Sequence, residues 1–189
     1  MKLESGLEAL SLSVENKQIE MMHRMLDLLN IWNERHNLTR YLKREDQVVY
    51  HILDSLSAHE YFKPYQEIMD IGTGAGFPSI PLAIIYPEKM FHLVESNGKK
   101  IAYLRMLVKD LSLNNVKLYH DRIEKINLDV DVITARALAS VDSILKLTES
   151  LSANYILYVS KEVDGSKGVI HSVVVPGSEK THRIFEIIK

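Results

Sequence analysis

The sequence predicts an α/β fold: a Rossmann-like, mostly parallel sheet finished by a C-terminal antiparallel hairpin and preceded by an N-terminal helical extension. Three observations carry this. Residues 1 to about 62 place apolar side chains at helical spacing. From Glu67 onward, short apolar runs alternate with amphipathic stretches. The chain closes with two apolar runs parted by Pro176-Gly177. Repeated βα units require right-handed crossovers, hence parallel strands with helices on both faces. The expected division is an extension over 1–64 and a sheet domain over 65–189.

In the extension, Met22, Met25, Leu26 and Leu29, continued by Trp32 or Asn33, follow the i, i+3, i+4, i+7 stripe of a core-packing helix. Residues 46–62 repeat the pattern with Val48, Val49, Ile52, Leu53 and Leu56, and Pro64 stops that helix. Strands are expected near 67–71, 90–94, 116–119, 130–134 and 154–159, and helices over 78–86, 98–112 and 140–151. Helix 98–112 puts Ile101, Leu104, Val108 and Leu111 on one face and its lysines elsewhere. The runs Gly168–Val175 and His182–Ile188 read as an antiparallel pair across Pro176-Gly177.

Bulk properties narrow the function. A hydrophobic content of 46% with 25% charged residues suits a soluble globular protein of one domain plus an appendage. No apolar run is long enough for a bilayer, and the acidic start of the chain is no signal peptide, so no membrane partner and a cytoplasmic location are expected. Nothing demands more than a monomer. The absence of cysteine excludes disulfides, thiolate metal sites and cysteine-ligated iron–sulfur clusters. It also excludes the cysteine nucleophile that C5 methylation of pyrimidines requires. His51, Asp54 and His59 are poorly spaced for a metal, and none is expected. His51, Asp54 and Ser55 lie on one helix without a nucleophile elbow, so hydrolase chemistry is not expected. A net charge of −2 makes the whole molecule no general polyanion binder. Nucleic-acid contact would fall to local patches such as Arg35–Arg44, with Arg40 and Lys43, although such a stretch is also what a solvated helix end looks like.

The run Asp70-Ile-Gly-Thr-Gly-Ala-Gly-Phe-Pro is a strand, a glycine turn and a helix start. Gly72, Gly74 and Gly76 let the backbone bend sharply and a ligand approach closely. A dinucleotide fingerprint reads G-x-G-x-x-G and seats a diphosphate on the helix N-terminus. Here the spacing is G-x-G-x-G, and Pro78 removes a donor the diphosphate would use. The pattern therefore points to a nucleoside without a diphosphate, S-adenosylmethionine (SAM), with S-adenosylhomocysteine as product. Glu95, nineteen positions after Gly76 at the end of an apolar run, can hold a ribose diol. A parallel sheet with a terminal antiparallel pair is the usual shape of SAM-dependent methyltransferases.

Ligands of open α/β sheets bind beyond the carboxyl ends of the strands. That rule nominates Gly72–Phe77, Glu95-Ser96, His120–Glu124, Thr134–Arg136 and Ser160-Lys161, which should converge on one crevice. Arg122, Arg136 and Lys161 are then functional candidates or plain surface charges. Phe77 is either core or a wall against SAM, and Glu124 either caps a turn or binds the adenine amino group. Exocyclic-amine methylation usually shows an Asp/Asn-Pro-Pro-aromatic motif after the fourth strand; this chain has Ile133-Thr-Ala-Arg-Ala. A ring nitrogen with an in-plane lone pair, such as guanine N7, stays attractive because it needs no general base.

The motifs in order resemble the RsmG (GidB) family, the guanine-N7 methyltransferases of 16S ribosomal RNA. The resemblance runs through Trp32-Asn33, Asn37-Leu38-Thr39, His51-Ile-Leu-Asp-Ser-Leu56, Asp70–Pro81, Gly98-Lys-Lys, Asp121-Arg-Ile-Glu124, Thr134-Ala-Arg-Ala137, Lys161 and Arg183–Lys189. It implies a class I SAM-dependent methyltransferase acting on a guanine in the 530 loop of 16S rRNA, alone or within the small ribosomal subunit. It implies SAM contacts at Gly72, Phe77, Ile123, Glu124 and Arg136, with Glu95 near the ribose. Arg122, Arg136, Lys161 and Arg183 become RNA or target-base candidates, and His51 with Asn37–Thr39 would stand over the pocket mouth. The resemblance names no acid or base. The chain departs from the family in Ser79 (usually Gly), Glu95 (usually Asp), Lys161-Glu162 (usually Lys-Gly) and a short segment 162–168. Competing readings are a methyltransferase of a small molecule or protein, which needs no RNA, and a non-enzymatic SAM-binding ribosome-assembly factor, which shows no turnover. A nicotinamide oxidoreductase is disfavoured by the glycine spacing.

Overall fold

Five parallel strands and one reversed hairpin build the sheet. In the computed structural model, which describes residues 1–159 and 163–189, the strands are β1 (Glu67–Ile71), β2 (Met90–Val94), β3 (Val116–Tyr119), β4 (Val132–Arg136), β5 (Asn154–Val159), β6 (Val169–Val173) and β7 (His182–Ile187). Their order is β3-β2-β1-β4-β5-β7-β6. β7 runs antiparallel to β5 on one side and β6 on the other. The order turns between β1 and β4, so the chain leaves these neighbours in opposite lateral directions and opens a crevice at their carboxyl ends.

The helices are α1 (Leu3–Ala9), α2 (Asn16–His36), α3 (Arg44–Gln47), α4 (Asp54–Leu56), α5 (Ser79–Ile85), α6 (Gly98–Asp110) and α7 (Val141–Leu147). Strand side chains alternate between two cores. Ile68, Phe91, Val132 and Ile156 join the core that takes in α1, α2 and α4 to α6; Met69, Ile133, Tyr155 and Leu157 join the one under α7. The expected helices on both faces are therefore present, unequally.

α2 is started by a capping box: Gln18 Oε1 accepts from Glu15 N at 2.8 Å while the Glu15 side chain accepts from the Gln18 backbone. Its apolar stripe (Met22, Met25, Leu26, Leu29) is buried as expected. Arg24 clamps Asp110 through two bonds of 2.9 Å, and Gln18 Nε2 donates to Ile84 O at 2.7 Å, so α2 is tied to α6 and α5. The N-terminal helices thus share the sheet's core.

Three expectations need correction. The single helix over 46–62 is instead α3, a π-helical turn over Val48–Leu53, α4 and a 3₁₀ turn over His59–Phe62. Its apolar stripe is buried all the same; the wider turn spreads residues 48–53 and aims His51 toward the sheet end. β4 runs two residues later than expected, because Asp131 is used at its start: Oδ2 accepts from Gln66 N and Glu67 N at 2.6 and 2.9 Å. Thr134 is therefore fully buried inside the strand rather than at its end, and Arg136 is the last strand residue rather than lying beyond it. α7 stops at Leu147 because the Thr148 hydroxyl bonds Ile144 O and Tyr155 Oη, both at 2.8 Å.

Candidate functional site

The turn after β1 is held in shape by its neighbours. Gly72 N donates to Val94 O at 2.8 Å, and Thr73 Oγ1 donates to Asp70 Oδ2 at 2.6 Å. Gly72 has φ +65° and Gly74 φ +64°, a region that L side chains rarely adopt. A Cβ on Gly72 would run into the Leu138 side chain, whereas one on Gly74 would meet nothing nearer than 3.9 Å. The space over Gly74 is open to a ligand, and Leu138, arriving just after β4, forms its edge.

Glu95 follows β2 and reaches across to this turn. Its Oε2 accepts from Gly74 N at 3.0 Å and its Oε1 from Asn97 N at 2.8 Å. Only 6% of the residue is exposed. A carboxylate offers about four lone-pair sites, so two remain for a diol. Asn97 also caps α6, accepting from Lys99 N and Lys100 N. Glu95 N donates to Tyr119 O, and Gly98 lies beside the His120 ring, so the ends of β1, β2 and β3 meet here as the strand-end rule expects. Beneath them Asp70 is fully buried. Burial pushes its carboxyl up to about 7, against the opposing Thr73 bond. Asp70 Oδ1 and the facing Thr134 Oγ1 have no hydrogen-bond partner among the described residues.

A second feature opens beside the glycine turn. A cleft of about 520 Å³ lies between the N-terminal segment, the end of β4 and the start of β7. Thr39, Arg40, His51, Asp54, Arg136 and Arg183 are among its walls. Phe77 ends the turn and packs on two residues of the cleft: its ring stacks on His51 (centroids 4.4 Å apart, planes 9° apart), and the Arg136 guanidinium sits 5.2 Å from its centre. Phe77 itself is buried in the core.

Arg136 Nη1 donates to Asp54 Oδ2 at 2.8 Å and to Tyr50 O at 3.1 Å. Asp54 Oδ1 accepts from His182 Nδ1 at 2.8 Å. Burial alone would raise the Asp54 carboxyl, but the His182 bond and the Arg136 charge outweigh it and hold it below its ordinary range. His51 goes the other way: burial, then the Arg136 charge, bring it down to about 3, so it is neutral. A guanidinium cannot accept, so His51 Nδ1, 3.4 Å from Arg136 Nη2, is the accepting nitrogen and Nε2–H donates to Thr39 Oγ1 at 2.7 Å. Ala137, next along, has φ +53°, strained for a side chain with a Cβ.

Among the candidates read from the sequence, Gly72, Gly74, Phe77, Glu95, His51, Arg136, Arg183 and Arg40 gather around the turn and the cleft. Gly76 (φ +90°) packs on Ile80 and faces the core instead. Ile123 and Glu124 form a 3₁₀ turn; Ile123 is half-buried in the α7-side core, and Glu124 and Arg122 are exposed. Lys43 is exposed at the start of α3. Arg44 leaves the basic stretch, because it pairs with Asp27 at 2.7 Å. Lys161 lies outside the described residues.

Asp54 and His182 were not singled out for the cleft from the sequence, nor was Leu138. Strand-end reasoning looks after strands. β7 is antiparallel, so its beginning lies at the carboxyl edge of the others, with Arg183 opposite Val159.

Comparison with known proteins gives consistent results. The family model GidB, rRNA small subunit methyltransferase G, matches residues 18–163. The ribosomal RNA small subunit methyltransferase G of Dichelobacter nodosus is 42% identical over 151 residues, covering 79% of this chain and 72% of that one. Its counterpart from Coxiella burnetii is 34% identical over 197 aligned positions, covering 98% and 96%. Among solved structures, magnesium protoporphyrin IX methyltransferase from Synechocystis PCC 6803 with bound SAM superposes with a TM-score of 0.62 at 14% identity, covering 92% of this chain and 97% of that one. A SAM-dependent methyltransferase from Aquifex aeolicus gives 0.54 at 18% identity, covering 78% and 95%. At those identities the likeness is one of fold.

Proposed function

The chain belongs to the GidB family, rRNA small subunit methyltransferase G, and from that membership and the site geometry we propose that it methylates N7 of a guanine in the 530 loop of 16S rRNA, with SAM as methyl donor. The observation that carries this reading is the pairing of two adjoining sites. The open glycine turn faced by Glu95 ends at Phe77, whose ring packs on His51 and Arg136, both walls of the 520 Å³ cleft.

SAM suits the first site. Gly74 leaves room for a nucleoside, the Glu95 carboxylate has acceptor capacity left for the ribose, and Leu138 and Phe77 supply apolar walls. Gly72, Ile123, Glu124 and Arg136 complete the proposed SAM set. Bound there, SAM supplies a methyl group on a positively charged sulfur, open to in-line attack. The protein then has mainly to align and exclude water. Guanine N7 carries a lone pair and no proton, so no base is needed; the neutral His51, with both nitrogens engaged, is placed to shape the pocket mouth. Methylation leaves the purine positive. Arg136 can stand at its rim because Asp54 balances the guanidinium charge.

Arg122, Arg183 and Lys161 are the proposed partners of RNA phosphate or the guanine edge, and Arg40 and Lys43 those of the backbone beyond. Replacing Arg40 or Lys43 by alanine is expected to lower the log–log salt slope of rRNA binding by about 0.7–0.9, one phosphate contact each. An unchanged slope would retire that assignment. Residues 1–64 serve as the extension that walls the cleft, and 65–189 hold SAM. Among the described residues no helix is long and apolar enough to cross a membrane; a cytoplasmic monomer acting on rRNA or the small subunit fits this arrangement.

The direct test is nucleoside mapping by mass spectrometry of 16S rRNA and 30S particles after incubation with the protein and deuteromethyl-labelled SAM. One labelled 7-methylguanosine in the 530 loop is expected. Label elsewhere, or label only on small molecules or protein, would overturn the reading.

A further inference from the structure

Asp54 joins three segments of the chain at the cleft. Its side chain is 14% exposed. Oδ2 accepts from Arg136 at the end of β4, and Oδ1 accepts from His182 Nδ1 at the start of β7, each at 2.8 Å. His182 Nε2 pairs in turn with Ser178 Oγ at 2.8 Å, and that oxygen accepts from Lys180 N at 3.2 Å. The loop 178–182 is thereby fastened to α4.

The sheet does not need this connection. β7 is already paired along its length with β5 and β6, and its apolar residues Ile184 and Phe185 are fully buried. What the Asp54–His182 contact adds is a fixed position for the loop, which carries Lys180 and runs straight into Arg183, both walls of the cleft. Lys180 Nζ lies 5.7 Å from the Tyr50 ring centre, across from the loop. Ser178, His182 and Asp54 stand in the order of a hydrolase relay. However, Ser178 Oγ is capped by Lys180 N–H, and His182 rather than Ser178 lines the cleft, so anchoring is the role the geometry supports.

Resting on the function argued above, we propose that Asp54 and His182 are positioning residues of the rRNA methyl transfer: the pair clasps the basic loop 178–183 against the cleft so that the target nucleotide is held in line with the methyl donor. In-line displacement is steep in alignment, and a displacement of about 1 Å can cost around a hundredfold in rate. The clasp therefore acts mainly on kcat.

The test compares wild type with His182→Ala, His182→Asn, Asp54→Asn and the double variant Asp54→Asn/His182→Ala. kcat and KM are measured on 30S particles or 16S rRNA, SAM affinity by calorimetry, and folding by thermal unfolding. His182→Ala is expected to lower kcat at least tenfold while SAM affinity stays within twofold, since the Arg136–Asp54 contact remains. His182→Asn, whose amide can still donate to Asp54 Oδ1, recovers most of that loss. The double variant is no slower than Asp54→Asn alone, as expected of one unit. A folded His182→Ala with wild-type kcat, or an Asn variant as slow as the Ala variant at equal stability, overturns the positioning role alone. A wild-type protein that transfers no methyl group to 16S rRNA overturns the underlying function and this proposal with it.

Discussion

Replacing Arg136 by alanine is expected to lower the unfolding free energy by about 3–5 kcal/mol, the usual loss when one partner of a buried ion pair is removed. Both side chains of the Arg136–Asp54 pair are shielded, at 17% and 14% exposure, and Arg136 also satisfies Tyr50 O. The pH dependence follows from the direction of the Asp54 shift. In the native protein its carboxyl is held below the unfolded value near 3.8. The pair's contribution is therefore complete above that value and is lost as pH falls through the lower, folded one. In Arg136→Ala burial is opposed by His182 without the guanidinium, so the carboxyl moves up. The gap between wild type and variant should be widest near neutral pH and should narrow below about pH 4. Urea unfolding at pH 7 and 3.5 checks both points; a gap under about 1 kcal/mol, or one equal at both pH values, would refute the pair's role.

The second large effect is on SAM. Glu95→Ala should weaken SAM binding by one to two orders of magnitude. A charge-assisted hydrogen bond is worth roughly 1.5–3 kcal/mol, and each 1.4 kcal/mol is about tenfold in affinity. The variant also frees Gly74 N and Asn97 N, which Glu95 holds at 3.0 and 2.8 Å, so part of the loss comes from a looser turn. Glu95→Asp keeps the charge and should lose less. Glu95→Gln is not benign, because its NH2 group would face one of the two backbone N–H groups that the carboxylate oxygens now accept from. Calorimetry showing Glu95→Ala at wild-type affinity would remove Glu95 from the site.

The elements with a clear period were legible. β1, β2, β3 and β5 lie where their apolar runs place them, and the Pro176-Gly177 hairpin forms as its turn residues indicate. The glycine turn and Glu95 were legible because a backbone bend and a carboxylate nineteen residues on leave local marks. The start of β4 was misplaced because Val130 continues the apolar run by side chain, while the ladder begins only after Asp131 has bonded Gln66 and Glu67. The π-helical turn over Val48–Leu53 was invisible, since helical spacing reads the same over a single wide turn. Asp54 and His182 were hidden for a different reason. Their contact spans 128 positions and joins a helix to a strand of reversed direction, which no local pattern records.

Shared burial gives the extension its part in the site. Its helices lie on the face of the sheet that α7 leaves uncovered, with Leu53 and Leu56 in one core with Ile156 and Ile184. Tyr158 Oη donates to Ser55 O at 2.5 Å, which fixes the helix bearing His51 and Asp54 to β5. The same packing that stabilises the extension thus aims its polar residues at the carboxyl edge of the sheet.

The most direct measurement is a crystal structure of the protein with SAM or S-adenosylhomocysteine. The nucleoside is expected over Gly74, with both ribose hydroxyls within hydrogen-bond reach of Glu95 and the sulfur directed past Phe77 toward the Arg136 side of the cleft. A ligand bound elsewhere, or a ribose that leaves Glu95 bonded to Gly74 N and Asn97 N alone, would contradict this placement.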